Sequence, residues 1–322
     1  MRAKRIGALQ AALGAIFWSF AGVLGKWLPW NAFTIHGIRS LVAVVLLAIA
    51  RGSVRVRLTR GTVLGAVGVM LTSVLYMAAI KLTTSANAIV LQYAAPAFVI
   101  LFCWLFYGQR PDGRSVITAA LIMLGVVLCF ADRMGGGSLA GNILAILSAV
   151  TFALVFFCAR MPDTRPLDYS YLGLLMCVPF SACGFFDSNM SAQPAQWRAV
   201  LGLGVCLAGG YYFVSAAMGR VSPVFAVLLS NLEPVLNPIW VALFLPGLGE
   251  VPGGLALVGA AIVLVTAAAY SLAPAEGSGA GRSPPGRRKG SAVTGPRGLC
   301  RAAFAVLSAR GRAFFIPASR SG

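Results

Sequence analysis

Charge is what this chain has least of. Asp, Glu, Lys and Arg make up 11% of it, against about a quarter of an ordinary soluble domain. Acid is scarcer still, with 8 Asp and Glu against 26 Lys and Arg, and there is 1 histidine. So few charges cannot cover a water-exposed surface. No H-E-x-x-H, C-x-x-C or Cys/His cluster at metal-ligand spacing occurs, so neither a metal nor a cofactor is expected. A G-x-x-x-x-G-K-[ST] phosphate loop is missing too, as is any Ser/His or paired-acid arrangement inside the apolar runs. The chain is therefore expected to be neither ATP-driven nor an enzyme. Cys103, Cys129, Cys158, Cys177, Cys183 and Cys206 all fall inside apolar runs and read as small core residues.

What is present is apolar sequence, 59% of the chain. Runs bounded by charge, Gly or Pro predict ten spans at 6–27, 31–50, 61–81, 84–107, 114–132, 138–160, 168–187, 196–218, 222–245 and 253–273. About 20 residues at ~1.5 Å each cross a ~30 Å hydrocarbon layer, so these read as transmembrane helices. The first run has no small-residue cleavage site and reads as a retained helix rather than a signal peptide. Gaps this short leave no room for a soluble domain, so the partner medium is the lipid bilayer and function must lie within the membrane.

The net charge of +18 does not indicate nucleic acid, because 9 of the 26 basic residues follow residue 273 and most others sit between apolar runs. Loop charge of that kind orients helices. With the N-terminus inside, the inner loops collect Arg2, Lys4, Arg5, Arg51, Arg55, Arg57, Arg60, Arg110, Arg114, Arg160, Arg165 and Arg220, and the outer ones only Lys26, Lys81, Arg133 and Arg198. This places both termini in the cytoplasm of a multi-pass inner-membrane protein. Trp27, Trp30 and Trp197 are then expected as anchors at the outer interface.

One run carries a carboxylate in its middle. In S-P-V-F-A-V-L-L-S-N-L-E-P-V-L-N-P, Ser222 and Pro223 read as N-cap and first helical residue, which puts Glu233 roughly 16 Å further along the axis. Pro234 and Pro238 each remove a backbone donor and predict a kink. A charge at mid-depth costs about 2.5–3.5 kcal/mol even on insertion scales, and freed carbonyls need protein or a wet cavity to meet them.

The two halves of the chain repeat each other. G-A-L-Q-A-A-L-G-A-I from Gly7 matches G-N-I-L-A-I-L-S-A-V from Gly141, A-I-V-L from Ala88 matches A-V-L-L from Ala226, and Pro96 pairs with Pro234. Further on, Gly108, Gln109 and Pro111 pair with Gly249, Glu250 and Pro252. Five spans per half invert the second copy in the membrane, an arrangement in which two opposed halves rock about a site near the midplane. The predicted domains are 1–133, 138–273 and a tail, 274–322.

A-I-F-W-S-F-A-G-V-L-G-K (Ala15 to Lys26), I-R-S-L-V-A-V-V-L-L around Arg39, A-I-K-L-T-T-S-A-N-A-I-V-L-Q-Y-A-A-P-A-F-V (Ala79 to Val99) and N-L-E-P-V together resemble the EamA family of the drug/metabolite transporter superfamily. The likeness runs to about residue 273. It implies a ten-helix bundle of two repeats, with a central cavity lined by helices three, four, eight and nine with help from one and six. It also implies export or exchange of a small metabolite such as an amino acid. The chain departs from the family pattern in F-L-P-G-L-G-E and in Gln109, both at helix ends.

The expected fold is thus an all-α integral membrane protein of ten transmembrane helices in two inverted five-helix repeats. Ser230, Glu233 and Asn237 share one helical face around the kink. Glu233 reads either as a neutral glutamate bonded between helices or as the group that handles substrate or proton. Gln92 is the polar residue at the equivalent site of the first half. Arg39 is either a structural or snorkelling cation or the cavity partner of a substrate carboxylate, and His36 is either hydrogen-bonded or a relay. Asn87, Tyr93, Trp18 and the pair Tyr211 and Tyr212 are candidate cavity walls or packing. Pro96, Pro234 and Pro238 are the expected kinks. The tail is too polar to fold and is read either as able to hold anionic lipid through Arg282 to Lys289 or as a segment without function. A small-molecule transporter is the leading reading and a non-transporting scaffold or sensor the alternative; substrate, direction, coupling ion and oligomeric state stay open.

Overall fold

Side chains set the helix starts. Asn31, Thr59, Thr84, Ser138 and Ser222 each accept a hydrogen bond from a backbone N–H in the first turn that follows, and Asp112 accepts from Ser115 N. Pro166, Pro194 and Pro223 open three helices where a missing N–H costs nothing. The computed structural model describes residues 2–131, 134, 137–245 and 253–272. Asp132, Arg133, the 249–252 half of the repeat match and the basic tail lie outside them.

Among the described residues, ten helices are long and apolar enough to cross a membrane. They are α1 (Arg2–Gly25), α2 (Ala32–Arg51), α3 (Arg60–Leu82), α4 (Ser85–Tyr107), α5 (Gly113–Phe130), α6 (Leu139–Cys158), α7 (Pro166–Phe186), α8 (Pro194–Met218), α9 (Pro223–Phe244) and α10 (Gly254–Leu272). Each overlaps one expected span, and no strand occurs among the described residues. The chain divides into two units, Met1–Leu101 with Pro111–Ala273, and Phe102–Arg110 with Pro274–Gly322. In the second unit the described part is the end of α4, which closes at Gly108. Its φ of 66° suits glycine, while Gly108 N donates to Trp104 O and Gln109 N to Cys103 O.

In the first unit the packing itself shows the inverted repeat. α1 lies on α8 as α6 lies on α3, and α2 lies on α8 as α7 lies on α3. The pairs α5–α10 and α2–α7 map onto themselves under the same exchange. Replacing each helix n by its counterpart five helices away therefore turns this set of pairs into itself. The chain is an all-α integral membrane protein of two inverted five-helix repeats. Small residues make these approaches close, as where Ala11, Gly14 and Ala15 of α1 are buried on the same bundle as Gly210, Val214 and Ala217 of α8. Lipid offers no hydrophobic drive between helices, so such packing carries the association.

Helix α7 is tied to α2 at both ends. Arg51 Nε lies 2.9 Å from Asp168 Oδ1, and Asn31 N donates to Asp187 Oδ2 at 2.6 Å. Between these ties α7 winds down into a 3-10 helix, Val178–Phe186. Trp27 is 53% exposed, as an interfacial anchor should be, but Trp30 is only 5% exposed. Its Nε1 donates to Gln196 Oε1 at 2.7 Å and its ring meets Trp197 edge-on, so Trp30 is a packing residue between the α1–α2 loop and α8.

Candidate functional site

Two helices are interrupted at equivalent points. α4 is helical over Ser85–Gln92 and again over Ala95–Tyr107, and α9 over Pro223–Ser230 and again over Glu233–Phe244. Tyr93 closes the first segment of α4 at φ −76°, ψ 5°, and Asn231 closes that of α9 at φ −69°, ψ 3°. Pro96 and Pro234 stand at the second position of each resumed helix. Proline has no N–H and clashes with the carbonyl four residues back, so each helix gives up a turn. At the α4 break Ala97 N bonds Ala94 O, which releases the Tyr93 carbonyl. That carbonyl accepts from Asn231 Nδ2 at 3.1 Å, so each break meets the other. Pro238 lies inside the second segment of α9 without ending it.

A cavity of about 300 Å³ opens beside these breaks. Helix α9 contributes Glu233 and Asn237, α4 contributes Gln92 and Tyr93, and α2 contributes Arg39. Further wall comes from Thr72, Ser73 and Tyr76 of α3, from Phe152 of α6 and from Cys206 and Tyr211 of α8, with Trp18 and Gly22 of α1 at the side. Both repeats therefore line it. Of the sequence candidates, Glu233, Asn237, Gln92, Arg39, Tyr93 and Trp18 meet here. Ser230 does not line it. The break at Asn231 ends the helical register that would have aligned Ser230 with Glu233, and the Ser230 hydroxyl donates to Ala226 O at 3.0 Å instead. Asn87 is also outside the lining and sits near Thr83 at the far end of α4. Tyr211 faces the cavity, whereas Tyr212 is 41% exposed.

The site is polar but not self-neutralised. The Glu233 carboxylate is hydrogen-bonded to the Tyr93 side chain. Arg39 and Glu233 face the same cavity without making an ion pair. Instead Arg39 donates from Nε and Nη2 to Nδ1 of His36, at 3.2 and 2.9 Å. Trp18 is held by edge-on contact with Tyr211 at 5.2 Å and tilted contact with Phe152 at 6.3 Å. Asn237 reaches so close to Gly22 that a Cβ there would stand 1.7 Å from Oδ1. Glycine is what lets α1 and α9 converge. Below that point Trp240 Nε1 donates to Ser19 Oγ at 2.8 Å and stacks on Phe20 with ring centres 5.0 Å apart.

The family model of EamA-like transporters matches residues 5–131 and again 139–272. The chain belongs to that family. Members of it are membrane transporters, so this EamA protein is a multi-pass membrane transporter of a small molecule and not an enzyme. The pseudopaline exporter CntI of Pseudomonas aeruginosa is 27% identical over 284 residues, which cover 82% of this chain and 95% of the exporter. The aromatic amino acid exporter YddG of Ancylobacter novellus is 28% identical over 206 residues, 62% of this chain and 71% of that protein. One solved crystal structure superposes with a TM-score of 0.68 at 21% identity, covering 83% of this chain and 96% of its own, a likeness that bears on the fold alone.

Sequence reasoning passed over Gly22, Tyr76 and Asn231. Gly22 and Tyr76 carry no local signal that separates cavity from packing. Asn231 had one: at the repeat offset it aligns with Tyr93, and two polar residues just before paired prolines mark the breaks.

Proposed function

We propose that this EamA-family protein exports or exchanges a small zwitterionic metabolite, such as an amino acid, by alternating access of the cavity between α1–α4 and α6, α8 and α9. The observation that carries the reading is an acid and a base from opposite repeats, Glu233 and Arg39, lining one cavity beyond ion-pair distance of each other. A charge at mid-depth without a close counter-ion is costly, and a cargo bearing both charges would supply one to each residue at once. The cavity is at the small end of ligand pockets, which run from about 300 to 1,000 Å³, and so favours a small molecule. The two exporter relatives point the same way.

On this reading residues 1–133 and 138–273 are the two moving repeats in the cell membrane. Twelve basic loop residues on one side against four on the other support both termini being cytoplasmic. The test is counterflow of labelled amino acids in proteoliposomes. Uptake against unlabelled internal substrate is expected for at least one amino acid; its absence for the whole set, with a protein that is folded and inserted, would sink the reading.

A further inference from the structure

We propose that His36 is the residue that positions Arg39, and that the pair makes a carboxylate-binding end of the cavity. The proposal rests on the reading of the cavity as a transport site. His36 and Arg39 are three residues apart on α2 and share one face. Two guanidinium donors converge on a single ring atom, Nδ1 of His36, at 3.2 and 2.9 Å. Guanidinium has no acceptor. Nδ1 must therefore carry its lone pair, and the ring proton sits on Nε2. An imidazolium would set a third donor against the other two.

The consequence is electrostatic. His36 is 1% exposed, and its Nε2 has no partner among the described residues, so the ring is held by packing and by Arg39 alone. A carboxylate in its place would cancel the arginine charge; a neutral imidazole occupies one edge of the fork and leaves the charge standing. The remaining nitrogen, Nη1, has no protein acceptor among the described residues, and Arg39 lines the cavity. Glu233, the acid on that wall, is bonded to Tyr93 and stands beyond ion-pair distance of Arg39, so that each feels the other's charge without neutralising it. Arginine so held presents a fixed donor edge, the geometry that recognises a carboxylate. The second repeat brings no basic residue to the cavity lining, so this recognition comes from the first repeat only.

His36 is the single histidine of the chain, which makes the arrangement directly observable. Protein carrying a non-histidine affinity tag and labelled with 15N-histidine is expected to give one Nε2–H tautomer at neutral pH, with Nδ1 perturbed by Arg39→Met. An Nδ1–H tautomer or an imidazolium overturns the proposal. Binding to the purified protein is then compared for L-phenylalanine and phenethylamine, which share the ammonium that Glu233 would meet and differ by the carboxylate. The amino acid is expected to bind about tenfold better than the amine, the weight of one charge-assisted hydrogen bond. His36→Leu and Arg39→Met should bring the two within about twofold of one another, while His36→Asn, whose amide oxygen replaces the Nδ1 acceptor, restores the preference. A folded His36→Leu protein that keeps the wild-type preference, or a wild type with none, overturns the proposal. Loss of counterflow with the tautomer and the carboxylate preference intact would instead count against the transport reading alone.

Discussion

Glu233 stands at the first position of a resumed helix, where the N–H groups of the new turn have no carbonyls behind them. A negative group is favoured at such an end, and this offsets part of what burial at mid-depth costs. The same place makes it the residue best sited to exchange a proton, since Asp112, Asp163, Asp168 and Asp187 all lie at helix ends or in loops. Glu233→Gln keeps the shape and the bond to Tyr93 while removing titration. Accumulation driven by a pH gradient is expected to disappear in that variant, and exchange at equal pH to persist at a reduced rate, since the amide keeps one acceptor for the cargo ammonium. Gradient-driven uptake at the wild-type rate would leave Glu233 a structural group. The residue was legible in the sequence because one acid in a 24-residue apolar run has no other explanation than a site or a buried bond. Ser230 was misleading for a physical reason: helical spacing places it beside Glu233 only if the helix continues, and it stops between them.

At the scale of elements, the breaks in α4 and α9 hold each other. The Asn231 amide donates to the Tyr93 carbonyl, closing one backbone group freed by the prolines. Replacing Asn231 with leucine keeps the bulk and leaves that carbonyl buried and unpaired. The expected cost is about 1–3 kcal/mol, read as a lower midpoint in thermal unfolding of the detergent-solubilised protein, with transport falling further than stability. A midpoint equal to wild type would mean that the breaks are held by helix packing alone. Paired prolines announced that both helices are interrupted, but not which atoms answer the interruption, because a contact across 138 residues leaves no periodic trace in either helix.

For the whole molecule, the inverted repeat decides both the packing and the topology. Packed pairs exchange with one another when the halves are exchanged, while the polar lining does not: Arg39 comes from one half and Glu233 from the other, with Ala95 standing where Glu233 would repeat. The asymmetry gives the cavity two unlike ends. Reporter fusions at Ser53 and at residue 275 should both report the cytoplasmic side. An external signal from either would break the five-plus-five assignment, since an odd number of spans per half is what inverts the second copy.

The amino-acid sequence by itself determined the ten spans, the repeat and the class of protein, because each of these depends on local composition: apolar length sets a span, and an offset match sets a repeat. It also singled out Glu233 and Arg39, since charge inside an apolar run is conspicuous wherever the chain folds. What the tertiary structure alone decided is how those charges are partnered. Arg39 turns to His36 rather than to Glu233, Glu233 to Tyr93, and Asn237 fits against Gly22, because side chains choose partners by the distances between packed helices, and those distances are fixed by small residues and broken turns far away in the chain.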